Sequence, residues 1–167
     1  MTLYENSNDR NVQELARVKL ERHMNNLGIG LVQIRHTPQE RTELWDLDVY
    51  VNGMYVGVAE VKGCGKSFSY MLEKEFGFLI KTRTLSGLKE MFYRPKQDGS
   101  KYHRKEVSIV HYCIPDDRLF IVSMRNLIKH GKQINQARPG AIKENHGATD
   151  SDEPGLSIPT NLYTEIV

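Results

Sequence analysis

Leu44-Trp45-Asp46-Leu47-Asp48-Val49-Tyr50-Val51-Asn52-Gly53-Met54-Tyr55-Val56-Gly57-Val58-Ala59-Glu60-Val61-Lys62-Gly63 is the stretch whose reading decides the fold. Two runs rich in Val and Tyr flank Asn52-Gly53, and Asn-Gly between such runs is the strongest short-range hairpin signal. The spacing predicts strands over about 44–51 and 54–62. Residues two apart on a strand face the same way. Glu60 and Lys62 therefore project side by side near the end of the second strand, with Asp46 and Asp48 on the first. Carboxylates joined by a hairpin can hold a divalent cation through hard oxygen ligands. A lysine beside that cation can hold or activate a water, which is the equipment for metal-assisted phosphodiester hydrolysis.

A strict two-residue turn would pair Asp48 with Gly57 and Asp46 with Ala59, turning both aspartates away from the Glu60 face. A one-residue bulge restores the parity, and either Gly53 or Gly57 can supply it. Asp46 and Asp48 have the same parity, so periodicity does not choose between them. Asp48, closer to the turn, is the preferred partner of Glu60.

These residues resemble the PD-(D/E)xK nuclease superfamily, the restriction-endonuclease-like group: an Asp near one strand, a hairpin, then Glu-x-Lys, here Asp48 and Glu60-Val61-Lys62. The family's Pro before the Asp is replaced by Leu47. The resemblance implies an α/β fold, a mixed central β-sheet flanked by helices. It also implies Mg²⁺ (or Mn²⁺) held by Asp48, Glu60 and the Val61 carbonyl, with Lys62 at the attacking water. Many members add an acid from the first helix. Glu14 is the candidate carboxylate, although it lies opposite that helix's apolar stripe; Gln13 lies on the stripe's flank and Asp9 near the helix start.

Outward from the hairpin, residues 7–26 read as a helix, with Val12, Ala16 and Leu20 at helical spacing and Gly28 as a stop. Residues 30–37 read as a first strand. Residues 63–76 read as a loop or short helix, 78–80 as an extended piece, and Ser86–Tyr93 as a helix. Residues 106–114 and 118–124 read as strands, and 125–130 as a helical turn. Residues 132–155 are polar and rich in Gly, Pro and Asn, and are expected to form a flexible loop before 156–166 docks back. No composition shift divides the 167 residues, so a single domain over 1–167 is expected.

Net charge is +2, but unevenly spread. Residues 62–105 hold eleven Lys/Arg and four Asp/Glu, a net of +7, while 1–61 come to −3 and 106–167 to −2. A basic block beside an acidic site suits a substrate with a phosphate backbone. Lys66, Lys74, Lys81, Arg83, Lys89 and Lys101 are the candidate phosphate contacts, with Tyr70, Tyr93 and Tyr102 interleaved. His103 and His111 read as surface and strand residues. Gly63-Cys64-Gly65-Lys66-Ser67 lacks the first glycine of a phosphate loop, so no nucleotide cofactor is expected. Two cysteines, Cys64 and Cys113, give no zinc spacing or disulfide framework and suit a reducing cytoplasm. No apolar run reaches the roughly 18 residues of a membrane span.

The expected activity is metal-dependent cleavage of DNA. A chain this short has little room for a sequence-reading domain, which argues for structure-selective, resolvase-like cutting or for a homodimer. The alternative is a nucleic-acid-binding module that keeps the fold without the chemistry.

Overall fold

A computed structural model describes residues 3–38, 45–93, 106–146 and 149–167. Six strands form the central sheet in the order β1-β2-β3-β5-β6-β11. They are β1 (Val32–His36), β2 (Leu47–Val51), β3 (Met54–Cys64), β5 (Glu106–Cys113), β6 (Arg118–Ser123) and β11 (Thr164–Ile166). All neighbours pair antiparallel except β3 and β5, which run parallel from Gly57↔Glu106 to Cys64↔Cys113. A parallel pair needs a crossover. Residues 65–105 supply it, carrying the one-turn α2 (Phe68–Tyr70), β4 (Phe78–Lys81) and α3 (Thr82–Tyr93).

Both faces of the sheet are covered, as a parallel pair at its centre requires. Helix α1 (Leu3–Asn26) lays Val12, Ala16 and Leu20 against Ile34, Leu47, Val49, Ala59 and Val61. On the other face, α3, β4 and the short α4 (Met124–Lys129) bury Leu88, Phe78 and Met124 against Val58, Ile109 and Phe120. The mixed sheet flanked by helices is the architecture expected from the sequence. The first helix starts at Leu3 rather than near Ser7, and the third at Thr82 rather than Ser86. No helix among the described residues is long and apolar enough to cross a membrane.

The hairpin turn has Asn52 and Gly53 in left-handed conformations, φ 51° and 79°, the geometry of a tight two-residue hairpin turn. Val51↔Met54 and Tyr50↔Tyr55 pair directly, but Val49 pairs with Gly57. Val56 is thus the extra residue of a bulge, and the shift lies at Gly57 rather than in the turn. Beyond it Asp48 faces Val58 and Leu47 faces Ala59.

The stretch 132–155, expected as a flexible loop, contributes β7 (Asn135–Gln136), which pairs with β10 (Gly155–Ile158). The backbone of β8 (Lys143–His146) and β9 (Thr149–Asp152) forms a further hairpin. Alternation in these segments is hidden by their shortness and polarity, so the sequence read as a loop. Strand β10 also pairs with β4.

The expectation for His111 as a strand residue is met in an unusual way. It is buried in the second core, where its Nε2 lies 3.1 Å from the Leu79 carbonyl and its Nδ1 3.0 Å from the Tyr163 hydroxyl. Burial holds its pKa down to about 4, so the ring is neutral, donating to Leu79 and accepting from Tyr163.

A Cβ on Gly57 would stand 2.7 Å from the Glu106 carbonyl oxygen. Backbone cannot yield as a side chain can, so Gly57→Ala should destabilise the protein by about 2 kcal/mol or more. A lowered urea midpoint with an unchanged slope would show it; an unchanged midpoint would contradict this account of the bulge.

Candidate active site

The bulge decides which carboxylates meet. Counting on from Leu47↔Ala59, Asp46 stands opposite Glu60, and its N–H donates to the Ala59 carbonyl at 3.0 Å. Its carboxylate accepts from the Val61 N–H at 2.8 Å through Oδ2 and from the Gln13 side-chain amide at 3.2 Å through Oδ1. Helix α1 and strand β3 thus hold Asp46 from two directions.

Glu60 lies beside it, its side chain 11% exposed, with Lys62 Nζ 3.1 Å from Oε1. Val12, Gln13, Asp46, Glu60, Val61, Lys62 and Gly63 line one cleft of about 270 Å³. Backbone direction alternates along β3. The Cys64 carbonyl accepts from Ile114, which follows β5, and the Ala59 carbonyl accepts from Asp46. Val61 therefore points both its N–H and its C=O toward the side from which Asp46 approaches.

Burial, followed by the charge of Asp46, raises the pKa of Glu60 from 4.5 to about 7, against the opposing pull of Lys62. Two carboxylates crowded at low exposure, with one ammonium, leave a surplus of negative charge. Oxygen donors with such a surplus suit a hard divalent cation. The described residues hold no group of three or more His, Cys, Asp or Glu placed to hold a metal ion. The donors in this cleft would be two carboxylates and backbone oxygen.

Asp48, preferred on sequence as the partner of Glu60, shares its face but not its cleft. It is 4% exposed and sits one step farther along, opposite Val58. Its Oδ1 accepts from Trp45 Nε1 at 2.8 Å and from the Tyr55 hydroxyl at 3.1 Å. Asp46 and Asp48 share one parity, and position along the strand separates them: Asp46, just before β2, meets Glu60.

Glu14 is likewise directed elsewhere. Arg17, at 2.7 Å, and then His36 hold its pKa down at about 2, and the trio ties α1 to β1. Gln13, on the flank of the apolar stripe, occupies the place beside the site.

Among the basic candidates, Lys66 and Lys74 are exposed, with Lys66 Nζ 5.2 Å from the Tyr70 ring centre. Lys81 and Arg83 both reach the Glu153 carboxylate, at 3.0 and 2.6 Å. Lys89 is exposed on α3 beside Glu90 and Tyr93. Lys101, His103 and Tyr102 lie outside the described residues.

A folded pKa near 7 against 4.5 means that, between those values, the folded chain binds a proton that the unfolded chain releases. Glu60 therefore costs stability as pH rises through this window. Glu60→Gln should match the parent near pH 4.5 and melt several degrees higher at pH 8, read from thermal melts across pH. A variant that tracks the parent at every pH would refute the crowded-carboxylate reading.

No protein-family model matches the sequence, and no curated protein matches it. Among solved structures, a nuclease from a fusselovirus superposes with a TM-score of 0.51 at 15% identity, over 98% of this chain and 88% of that one. At that identity the likeness is one of fold: a helix-flanked mixed sheet of the kind a nuclease uses.

Proposed function

We propose that the protein is a metal-dependent nuclease of the PD-(D/E)xK type, hydrolysing DNA phosphodiester bonds with Asp46, Glu60 and Lys62. The observation that carries this reading is the convergence of these three side chains in one cleft, with Glu60 buried against Asp46. The fold likeness to a viral nuclease agrees with it.

Asp46 and Glu60 would hold Mg²⁺ or Mn²⁺, with the Val61 carbonyl as a third protein donor. The bound ion would neutralise the carboxylates and polarise the scissile phosphate. Gln13 and the Val61 N–H fix the Asp46 carboxylate before substrate arrives, so little reorganisation remains to be made. Lys62, anchored on Glu60, orients the attacking water and offsets charge developing on the phosphate. Lys66 and Lys74, just beyond the site in sequence, provide phosphate contacts.

A second reading, a DNA-binding module without hydrolysis, draws on Gln13 standing where a first-helix acid would be. Supercoiled plasmid with Mg²⁺, Mn²⁺ or EDTA separates the two. Metal-dependent nicking that Lys62→Ala and Asp46→Asn each reduce by at least about 100-fold supports hydrolysis. Asp48→Asn should retain cleavage while melting lower, because its hydrogen bonds are structural. Equal loss from Asp48→Asn and Asp46→Asn at a temperature where both are folded would reject the site assignment.

Metal binding has a readout independent of cleavage. Mn²⁺ should raise the melting temperature of the parent by mass action and leave Asp46→Asn unmoved. Replacing Lys66 and Lys74 by Ala should lower the salt slope of DNA binding by roughly 2, weakening all sequences alike. An unchanged slope would remove these lysines from the interface.

A further inference from the structure

Phe76 is the most conspicuous side chain outside the site. It is 74% exposed and its backbone is left-handed, at φ 59° and ψ 22°. A bulky aromatic is an outlier there, and such outliers persist only when the surroundings over-determine them. The surroundings do so from both sides.

A π-helical turn, Met71–Glu75, leads into Phe76, and the Phe76 and Gly77 N–H groups both donate to the Met71 carbonyl. Glu75, its side chain 2% exposed, holds Arg138 through bonds of 2.6 and 2.9 Å, and its carbonyl accepts from Ser157 Oγ. Gly77 follows at φ 154°, where a Cβ would meet the Ile158 carbonyl oxygen at 2.2 Å. A rigid frame thus presents one aromatic ring to solvent.

The frame stands on the Lys62 side of the sheet. Two residues on, Phe78 stacks on His111 with ring centres 4.8 Å apart, and His111 is the register partner of Lys62. Lys74 lies on the turn and Lys66 ahead of it in sequence, both exposed, with Glu73 the acidic residue between them. An exposed ring, with exposed lysines close by in sequence and the Lys62 side of the sheet beneath it, matches the chemistry of a nucleic-acid base stacked on an aromatic with its backbone held by lysine.

We propose that Phe76 stacks on an unpaired base and makes the protein select opened DNA (mismatched, bulged or branched) over intact duplex. The proposal deepens the nuclease reading and rests on it for the placement of DNA. Stacking needs a base already out of the helix, and extruding one is least costly where pairing is broken.

The test uses the full chain, in EDTA so that nothing is cut. A duplex with a 2-aminopurine in a three-base bulge is compared with its fully paired counterpart. The parent should bind the bulged DNA more tightly and quench its fluorescence. Phe76→Asn, suited to the left-handed backbone, should melt no lower than the parent. It should lose quenching, bind bulged DNA on the order of 10-fold more weakly, and bind duplex unchanged. Phe76→Trp should restore both signals.

Equal quenching by the parent and Phe76→Asn overturns the proposal, as does equal loss on both DNAs. A lower melting point for Phe76→Asn that Phe76→Trp restores, with DNA binding unaltered, would make the ring structural. A parent dimer that Phe76→Asn converts to monomer by light scattering would make Phe76, with exposed Leu72, a contact between copies. A parent that quenches and discriminates but cleaves nothing with any metal leaves stacking standing and refutes hydrolysis.

Discussion

The extra residue at Val56 sets the chemistry of the whole sheet. Upstream of it the hairpin follows ordinary two-residue pairing. Downstream every partner is moved by one, bringing Asp46 rather than Trp45 opposite Glu60. The shift is possible because Gly57 lets the β5 backbone approach where any side chain would collide. One glycine therefore links the register of β2 on one side to the packing of β5 on the other. Side chains alternate with period 2, so losing the bulge would exchange the buried and polar faces beyond it.

The carboxylates that this register brings together are not at ease without a counter-charge. Lys62 supplies part of one, but Glu60 stays far above its ordinary pKa because burial and Asp46 outweigh the lysine. Strain of this kind at a cleft is a mark of a binding site. The rest of the fold makes it tolerable. The apolar face of α1 lies against Leu47 and Val61, and Gln13, on the same helix, tethers Asp46. The same helix that seals the core also fixes the geometry of the carboxylate.

Much of this was legible in the sequence, for identifiable reasons. Asn52-Gly53 announced the hairpin because few other dipeptides accept two consecutive left-handed residues. Period-2 patterning placed Glu60 and Lys62 together and showed that a bulge was required. Periodicity could not separate Asp46 from Asp48, because that depends on where β2 ends and which polar groups wait there. Trp45 and Tyr55 take Asp48, and both contacts are set by three-dimensional packing. Glu14 is drawn away by Arg17 on its own helix and by His36 on β1. Gln13, an amide rather than an acid, offered no chemical signal beyond its place on the helix. Phe76 reads in sequence as an ordinary apolar residue, and only its backbone angles and exposure set it apart.

Strands β3 and β5 run side by side in the same direction, so the chain must leave the sheet after Cys64 and return to begin again at Glu106. The sheet fixes where that excursion starts and ends but places no demand on its length. The excursion also carries a net charge of +6. The carboxylate cleft and the basic stretch are thereby written in separate parts of the chain. Charge changes at exposed positions of that stretch, such as Lys66, Lys74 and Lys89, leave the hairpin that carries Asp46, Glu60 and Lys62 as it is, whereas Phe78 and Leu88 tie the stretch to the core. On the proposed nuclease reading, surface charge could drift in one part of the chain while the geometry of the cleft, written in another, held still.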